Sequence, residues 1–410
     1  MLYLVPQPKR ADRIGAYSFL DEEIQALAAA GVEAFVLSRK VPEDTWCGRV
    51  RLKAARKPSD VRLGVASFLV RRAKDVPIRY FLELPALHHV GRLEYEAAAI
   101  VKAEGIDLIH SHFAWPAGFG GILARAETGR PLVATLRGTD VLLDEAIDYG
   151  RRTSKAYDRA LRRLLATADR TVYFSNYMRD RALELGARPA AARVVRKGVD
   201  LAHFAVADDR VGLRRTLGLG ERPMILTVAG LIPRKGVHHI LEALAIVARD
   251  RDFSFVVCGE GPERARLETL SAELGLADRT VFAGRVTRAD IPKYFAASDV
   301  FVLASLVEAA GNVLFEAMAS GRPIVCTDSG GPPEYVKNAE TGFVVPVGQP
   351  EAMAARIGQL LNDPALQDRL GAEGRRQTMG EFDYDRMVRD IRGVYRETLA
   401  ASAPRQAAAS

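Results

Sequence analysis

Hydrophobic positions along the chain follow two alternating patterns. Short apolar runs bounded by turn residues are typical of buried strands, and the stretches between them repeat apolar residues at helical spacing. This alternation predicts an α/β fold in which helices connect parallel strands. The strands predicted in the first half are Leu2–Pro6, Ala34–Ser38, Leu108–His112, Leu132–Leu136, Thr171–Ser175 and Val194–Arg196. Those predicted in the second half are Met224–Ala229, Phe253–Cys258, Thr280–Ala283, Val300–Leu303, Pro323–Thr327 and Gly342–Val345.

The length of 410 residues suits two globular domains, each large enough to bury its own core. A helix predicted over Phe19–Ala30 ends at Gly31, a residue that commonly terminates helices. A polar, Gly-containing stretch with a short helical segment predicts a hinge. The predicted boundaries are a first domain over 1–205, a hinge over 206–222, a second domain over 223–383, a C-terminal helix over 384–400 and a disordered tail over 401–410.

Positive charge is concentrated in the first half. Residues 1–205 contain 33 Lys and Arg against 24 Asp and Glu, whereas the remainder contains 25 against 27. The densest part, residues 49–79, fits a surface that contacts anionic lipid or a phosphorylated acceptor, and fits a solvated face equally well. Nucleic acid is a poorer fit, because no aromatic-interleaved basic patch or helix-turn-helix pattern accompanies the charge.

The cysteines and the apolar runs indicate a cytoplasmic protein. Cys47, Cys258 and Cys326 are widely spaced, which favours reduced thiols over disulfides. No apolar run approaches the length of a membrane span, and residues 1–5 lack the features of a signal peptide and are predicted to form the first strand. Any membrane association is therefore expected to be peripheral.

Two acidic residues stand eight positions apart after the apolar run of residues 300–304. Glu308 lies in the turn, and Glu316 lies about one turn into the helix that follows. The small residues after Glu308 allow amides at the start of this helix to approach an anion. The two carboxylates can accept hydrogen bonds from sugar hydroxyls at the carboxyl end of a parallel strand.

A glycine-bearing loop, Gly230-Leu-Ile-Pro-Arg-Lys-Gly236, follows the strand Met224–Ala229 and precedes a helix. Flexible amides combined with the point charge of a lysine are a common way to bind a diphosphate. Lys235 is therefore a candidate phosphate ligand, and the alternative is an ordinary basic loop.

In the first half, Ile109–Pro116 and Thr135–Asp140 each end a predicted strand. Parallel strands place both ends at the same edge of the sheet. His110 and His112 share one strand face, but no third ligand has suitable spacing for a metal, so no metal site is predicted.

Together these motifs resemble the retaining glycosyltransferases of family 4. Glu308 to Glu316 matches their E-x7-E motif, and Ala317-Met-Ala-Ser-Gly-Arg-Pro323 and Gly330-Gly331-Pro-Pro-Glu334 match the segments that follow it. The resemblance implies the GT-B fold, with two Rossmann-like, doubly wound parallel-sheet domains that face an interdomain cleft. It implies transfer of a hexose-type sugar from a UDP- or GDP-type donor to a hydroxyl of a glycan or lipid-linked glycan. No cofactor and no metal are expected.

The resemblance also assigns residues to the donor: Glu308 orients its sugar hydroxyls, Glu316 binds the ribose, and Lys235 holds the diphosphate. The family carries an Arg where this chain has Gly230, so that contact is missing or is supplied by Arg234 or Arg285. The donor-binding set implied in this way is Gly15, Gly230, Arg234, Lys235, Gly259, Gly284, Arg285, Glu308, Ala310, Gly311, Asn312, Val313 and Glu316.

Arg137 is a departure from the family, since many members carry His before Gly-x-Asp. An arginine cannot accept a proton near neutral pH, so no general-base role transfers to this position. Arg137 could instead pair with a donor or acceptor phosphate, and Asp140 could hold Arg137 or bind a sugar hydroxyl. The catalytic candidates are thus Glu308, Lys235, Arg137 and Asp140, with His112 on the acceptor side.

Two mechanisms and two other functions stay open. A retaining enzyme could use Glu308 as a nucleophile, but the family is generally thought to use same-face attack, in which the leaving diphosphate takes the acceptor proton. A related fold performs nucleotide-sugar epimerisation with hydrolysis. A non-catalytic sugar-nucleotide-binding subunit is the other alternative, suggested by Gly230 and Arg137.

Overall fold

The computed structural model describes residues 1–5, 18–38, 41–56, 87–204 and 209–402. By contacts between residues the chain divides into two units. The first comprises residues 1–174, 178–195 and those from 388 onward, and the second comprises 175–177 and 196–387. Residues 196–204, which belong to the predicted first domain, therefore group with the second unit.

The first sheet lies in the first unit. Its strands are β1 (Leu2–Leu4), β2 (Phe35–Ser38), β3 (Thr45–Cys47), β4 (Val50–Ala54), β5 (Ile109–His112), β6 (Leu132–Thr135), β7 (Arg170–Tyr173) and β8 (Ala192–Val194). Their order is β3-β4-β2-β1-β5-β6-β7-β8, with every pair parallel except β3 and β4. The hairpin of β3 and β4 was not predicted, because β3 is short, largely exposed and carries no apolar run.

The second sheet has the doubly wound order predicted from the sequence. Its strands are β9 (Met224–Val228), β10 (Ser254–Cys258), β11 (Thr280–Gly284), β12 (Val300–Leu303), β13 (Ile324–Thr327) and β14 (Gly342–Val345). They pair in parallel in the order β11-β10-β9-β12-β13-β14. The chain builds outward from β9 on one side and then from β12 on the other. The loops after β9 and β12 therefore diverge, and a crevice opens at this switch point.

Helices connect the strands of both sheets, as parallel pairing requires. Apolar side chains of Val237–Val247 and Pro350–Asn362 belong to one buried cluster with those of the second sheet. The helices of the described residues are Ser18–Ala29, Leu87–Ala103, Phe119–Thr128, Gly138–Val141, Lys155–Thr167, Asn176–Glu184, Arg210–Thr216, Val237–Val247, Arg264–Glu273, Ile291–Ala297, Asn312–Ala319, Pro350–Asn362, Pro364–Glu381 and Tyr384–Ser402. The last helix extends two residues into the predicted tail, and residues from 403 onward lie outside the described part.

The helix Arg210–Thr216, inside the predicted hinge, is held by the second unit. Arg214 is buried and pairs with Asp299. The carboxylate of Asp299 also accepts a hydrogen bond from the amide of Met224 at 2.7 Å. Because Met224 begins β9, the helix is fixed to the start of the second sheet. Residues 206–208 of the predicted hinge lie outside the described residues.

A buried chain of hydrogen bonds joins the C-terminal helix to the first sheet. Tyr395 Oη lies 3.2 Å from Tyr3 Oη and 2.7 Å from His110 Nδ1. His110 Nε2 lies 2.8 Å from Thr135 Oγ1. All four side chains are buried, and burial lowers the pKa of His110 to about 4, so the ring is neutral at neutral pH. These contacts make His110 a core residue that is hydrogen-bonded through both ring nitrogens.

We expect Tyr395→Phe to lower the free energy of unfolding by about 1–3 kcal/mol, because it leaves a buried nitrogen of His110 without its partner. Tyr3→Phe is the matched control, since it removes one bond of the Tyr395 hydroxyl and keeps the bond to His110. Thermal and urea unfolding followed by circular dichroism measure both losses. The loss in Tyr3→Phe should be the smaller one, and equal losses would contradict the importance of the His110 bond.

The neutral state of His110 also predicts a pH dependence. Between the ordinary pKa of 6.5 and the lowered value of about 4, the unfolded chain binds a proton that the folded chain does not bind. Stability therefore falls as pH falls through this window, by about 2 kcal/mol at pH 5 from this group. In His110→Gln, the drop in melting temperature from pH 7 to pH 5 should be smaller than in the wild type. An identical drop in both proteins would refute the assignment.

Candidate active site

The turn after β12 carries Glu308 and is held by its backbone. The Glu308 amide donates to the Ser329 carbonyl at 2.8 Å, and the Glu308 carbonyl accepts from the Gly331 amide at 2.9 Å. These bonds form a parallel bridge between Glu308 and Gly330, which continues the pairing of β12 with β13 past the strand ends. The position of Glu308 is therefore set by the sheet.

The Glu308 carboxylate is buried among hydrogen-bond donors and cations. Its Oε2 accepts from Lys235 Nζ and, at 3.2 Å, from Ser305 Oγ. Its Oε1 accepts from the Ala309 amide at 3.2 Å, and an Arg234 nitrogen lies 3.9 Å from Oε2. Burial acts to raise the pKa of Glu308, but the charge and hydrogen bond of Lys235, the charge of Arg234 and the hydrogen bond of Ser305 together outweigh it, and the pKa lies below its ordinary value. The carboxylate is therefore ionised at neutral pH.

Lys235 reaches Glu308 from the loop after β9, which neighbours β12. Lys235 ends the 3-10 turn Pro233–Lys235, and Gly236 follows in the left-handed region with a φ of 61°. A Cβ at Gly236 would overlap the carbonyl oxygen of Ala304. Glycine is therefore required for the two loops to approach each other, and this approach brings the ammonium to the carboxylate.

The helix Asn312–Ala319 begins directly after Gly311, its N-cap residue. Gly311 has a φ of 78°, and the Leu314 amide bonds back to the Gly311 carbonyl at 2.8 Å. Ala310 and Gly311 are buried, Asn312 is exposed and Val313 is half-buried. The predicted small-residue turn and helix start are therefore present at the carboxyl end of β12.

Glu316 lies on this helix and is ion-paired. Its Oε1 is 3.2 Å from a nitrogen of Arg288, in the loop after β11. The side chain of Glu316 is 14 % exposed and that of Arg288 is 45 % exposed. The Glu316 side chain is therefore mostly covered by its neighbours, whereas its partner Arg288 is exposed.

Gly259 and Gly284 lie side by side after β10 and at the end of β11, with the Gly259 amide donating to the Gly284 carbonyl at 2.8 Å. A Cβ at Gly259 would overlap the carbonyl oxygen of Ala229, so this position also requires glycine. Gly230 and Arg285 are exposed. All four residues stand at the carboxyl edge of the second sheet, the edge that carries Glu308 and Lys235.

In the first unit, Arg137 follows β6 and contacts three buried side chains. One guanidinium nitrogen lies 3.1 Å from Glu23 Oε2 and 3.2 Å from His112 Nδ1. The guanidinium carbon lies 4.5 Å from the ring centre of Phe174, in cation–π geometry. Because Arg137 donates to Nδ1, a neutral His112 carries its proton on Nε2, which lies 4.0 Å from Glu23 Oε1. His112 is completely buried in this cluster, which corrects its expected place on the acceptor side.

Asp140 holds backbone in place. Its carboxylate accepts hydrogen bonds from the amides of Ala114 at 3.0 Å and Arg137 at 2.7 Å, and from the hydroxyl of Tyr157. Burial raises the pKa of Asp140 despite these bonds. The structure corrects the expectation that Asp140 holds the Arg137 side chain, because it holds the Arg137 amide instead. Complete burial also leaves no surface on Asp140 for a sugar hydroxyl.

Glu23 is a residue of this cluster that the sequence analysis did not identify. It lies on the helix Ser18–Ala29, where Leu20, Ile24 and Leu27 form the buried face. Glu23 shares that face by its spacing and is completely buried. An acidic residue on the apolar side of a helix was the available signal. Gly15, which precedes this helix, lies outside the described residues.

Neither a metal site nor a membrane span is found in the part of the chain that the structure describes. No group of three or more His, Cys, Asp and Glu side chains there could hold a metal ion. No helix there combines the length and apolar character needed to cross a bilayer. All three cysteines are free, as predicted, and Cys258 and Cys326 are buried whereas Cys47 is half-buried.

Comparison with known proteins identifies relatives that transfer sugars. Residues 15–203 match the family described as Glycosyltransferase Family 4, and residues 212–377 match the one described as Glycosyl transferases group 1. The D-inositol 3-phosphate glycosyltransferase of Salinispora tropica is 32% identical over 421 residues, which cover 96% of this chain and 83% of the relative. The GDP-mannose-dependent alpha-(1-6)-phosphatidylinositol monomannoside mannosyltransferase of Mycolicibacterium smegmatis is 31% identical over 294 residues, which cover 70% and 75%.

A solved structure shows the same fold. Sucrose-phosphate synthase from Thermosynechococcus elongatus superposes with a TM-score of 0.78 at 24% identity, and the alignment covers 98% of this chain and 99% of that one. The family matches extend over both parallel-sheet units, and the relatives are similar over most of their length. The chain therefore belongs to glycosyltransferase family 4, and it is a glycosyltransferase with the GT-B fold.

Proposed function

We propose that this enzyme moves a hexose-type sugar from a nucleoside-diphosphate sugar to an acceptor hydroxyl, with retention at the anomeric carbon and without a metal. The observation that carries the proposal is the Lys235–Glu308 pair at the switch point of the second sheet. Ligands of doubly wound sheets bind at such points. An ammonium and a carboxylate held there supply a cation for a diphosphate and an acceptor for sugar hydroxyls.

We propose that donor binding replaces the ion pairs of Lys235 with Glu308 and of Arg288 with Glu316 by contacts to the donor. The diphosphate takes Lys235, and sugar hydroxyls donate to Glu308 in its place. Ribose hydroxyls donate to Glu316, and Arg288 moves into solvent. Each buried charged group therefore keeps a hydrogen-bond partner through the exchange, and only the exposed Arg288 moves to water.

Other donor contacts are proposed for residues at the same edge of the sheet. Backbone amides at Ala310–Val313 approach the diphosphate at the start of the helix. The backbone at Gly230, Gly259, Gly284 and Arg285 lines the nucleotide. A donor contact is also proposed for Gly15, and only its sequence motif supports it.

In the proposed reaction, the bond between the anomeric carbon and the diphosphate oxygen breaks, and a bond from the acceptor oxygen forms on the same face of the sugar. The acceptor proton passes to the departing phosphate oxygen. The protein positions the groups, and Lys235 stabilises the negative charge that develops on the diphosphate. Arg137, held by Glu23 and by the Asp140–amide bond, is proposed to supply a further cation to a substrate phosphate.

The relatives suggest the substrates. One is named for GDP-mannose and a phosphatidylinositol mannoside, and another for D-inositol 3-phosphate. We therefore propose a lipid-linked or phosphoinositol-containing acceptor and a GDP-sugar donor, and we retain a UDP-sugar donor because the motif resemblance implies it. Cytoplasmic location with contact to an anionic membrane is part of the proposal, supported by the basic residues within 49–79. Residues 57–79 of that segment lie outside the described part.

The test is a donor screen with purified protein. UDP-, GDP-, ADP- and dTDP-sugars are incubated with and without D-inositol 3-phosphate or a phosphatidylinositol mannoside, and products are read by mass spectrometry. A new glycoside that forms only when donor and acceptor are both present supports the proposal. Nucleotide release without acceptor would indicate an epimerase or hydrolase, and donor binding without turnover would indicate a non-catalytic subunit. Either result contradicts the proposal.

Substitutions at the pair and at the second glutamate should abolish most turnover. Lys235→Ala and Glu316→Ala are each expected to lower kcat/KM by roughly a hundredfold or more, because each removes a charge-assisted contact to the donor. Lys102→Ala in the first unit and Glu373→Ala in the second unit are matched controls. Each removes one charge from a surface ion pair. Thermal melts establish that each variant is folded. Turnover within about threefold of wild type in folded Lys235→Ala would contradict the assignment.

Stabilisation of the leaving group by protein cations predicts turnover without a metal. Same-face attack predicts that the product keeps the anomeric configuration of the donor. Turnover in excess EDTA should equal turnover without it, and NMR coupling constants should show the same anomeric configuration in product and donor. Loss of activity in EDTA that Mg²⁺ or Mn²⁺ restores would refute the metal-free part. An inverted product would refute the retaining part.

A further inference from the structure

Position 230 can accommodate a side chain, although this chain has glycine there. Gly230 is exposed, and its φ lies outside the left-handed region in which glycine is favoured. An ideal Cβ at Gly230 would meet one atom within 4 Å, the Glu260 carbonyl oxygen at 3.9 Å. The backbone therefore does not require glycine. The arginine that the family pattern carries here is absent for a reason other than space.

Arg234, four residues later, places a guanidinium beside the Lys235–Glu308 pair. Its carbonyl accepts a hydrogen bond from the Leu306 amide at 2.7 Å, which ties the loop after β9 to the turn after β12. Its guanidinium lies 3.4 Å from the Val307 carbonyl and 3.9 Å from Glu308 Oε2. The Lys235 ammonium contacts that same oxygen. Two cations that converge on one carboxylate oxygen are close enough to bind one diphosphate together.

Arg285, the other candidate, is poorly placed to do the same. It follows β11, and in the sheet β11 is separated from β9 by β10. Neighbouring strands lie about 4.8 Å apart, so the ends of β11 and β9 are roughly 10 Å apart. The side chain of Arg285 is exposed, whereas that of Arg234 is 20 % exposed and lies over the Glu308 turn.

We propose that Arg234 supplies the second cation of the donor diphosphate site, in place of an arginine at position 230. The planar guanidinium can donate two hydrogen bonds to phosphoryl oxygens, while Lys235 acts as a point charge beside it. This inference rests on the proposed function, since it names the residue that completes the donor site. It makes the Pro233–Lys235 turn, with its adjacent Arg and Lys, the cationic side of that site.

The test is calorimetric titration of the full chain with GDP, UDP, ADP and dTDP, followed by titration of variants with the diphosphate that binds most tightly. Arg234→Ala should weaken binding at least about tenfold. Arg234→Lys should weaken it less, because lysine keeps the positive charge but cannot donate the paired hydrogen bonds of a guanidinium. Arg376→Ala is the matched control, since it removes the same charge from an exposed ion pair of the second unit and should bind like the wild type.

A second substitution separates the proposed role from a structural one. Gly230→Arg in the Arg234→Ala background should recover most of the lost affinity, because it returns a guanidinium to the site from a position with room for it. A destabilised loop would not recover in this way. Thermal melts of the single and double variants show whether both are folded.

Three outcomes are decisive. Loss in Arg234→Ala with recovery in the double variant supports the inference. Binding by Arg234→Ala equal to that of Arg376→Ala, or a folded double variant as weak as the single one, overturns it while the proposed function stands. A wild type that binds none of the four diphosphates overturns the proposed function itself.

Discussion

A carboxylate buried at the end of a parallel strand stays ionised only if cations are brought to it, and Glu308 meets this requirement through the loop after β9. Burial alone would raise its pKa, and Lys235, together with Arg234 and Ser305, reverses the shift. This pairing depends on the strand order, because only adjacency of β9 and β12 places the two loops together. It also depends on Gly236, since any side chain there would collide with Ala304. The strand order, the glycine at position 236 and the ionised state of Glu308 therefore depend on one another.

Two further buried carboxylates organise the first unit in different ways. Glu23 pairs with the guanidinium of Arg137 and so orients a side chain. Asp140 accepts amide hydrogens of Ala114 and Arg137 and so fixes the loops after β5 and β6. Both units thus use acids at the carboxyl edge of a parallel sheet, but the acids of the first unit act on protein groups. Glu308 is the one we propose to exchange its partner for a substrate.

Much of this arrangement could be predicted from the sequence, and the remainder depends on contacts between residues distant in the chain. Apolar runs located most of the parallel strands, whereas β3 of the hairpin β3–β4 is largely exposed and has no such run. Family motifs with fixed spacing identified Glu308 and Lys235, and the backbone next to Lys235 requires glycine at position 236. The pairing of Glu316 with Arg288 joins two separate loops and leaves no local pattern.

The most direct measurement is a crystal structure of the enzyme with a bound nucleoside diphosphate. We expect Lys235 Nζ to leave Glu308 for a phosphoryl oxygen and Glu316 to accept a hydrogen bond from a ribose hydroxyl. A nucleotide bound elsewhere, with the Lys235–Glu308 pair intact and Glu316 still held by Arg288, would contradict it.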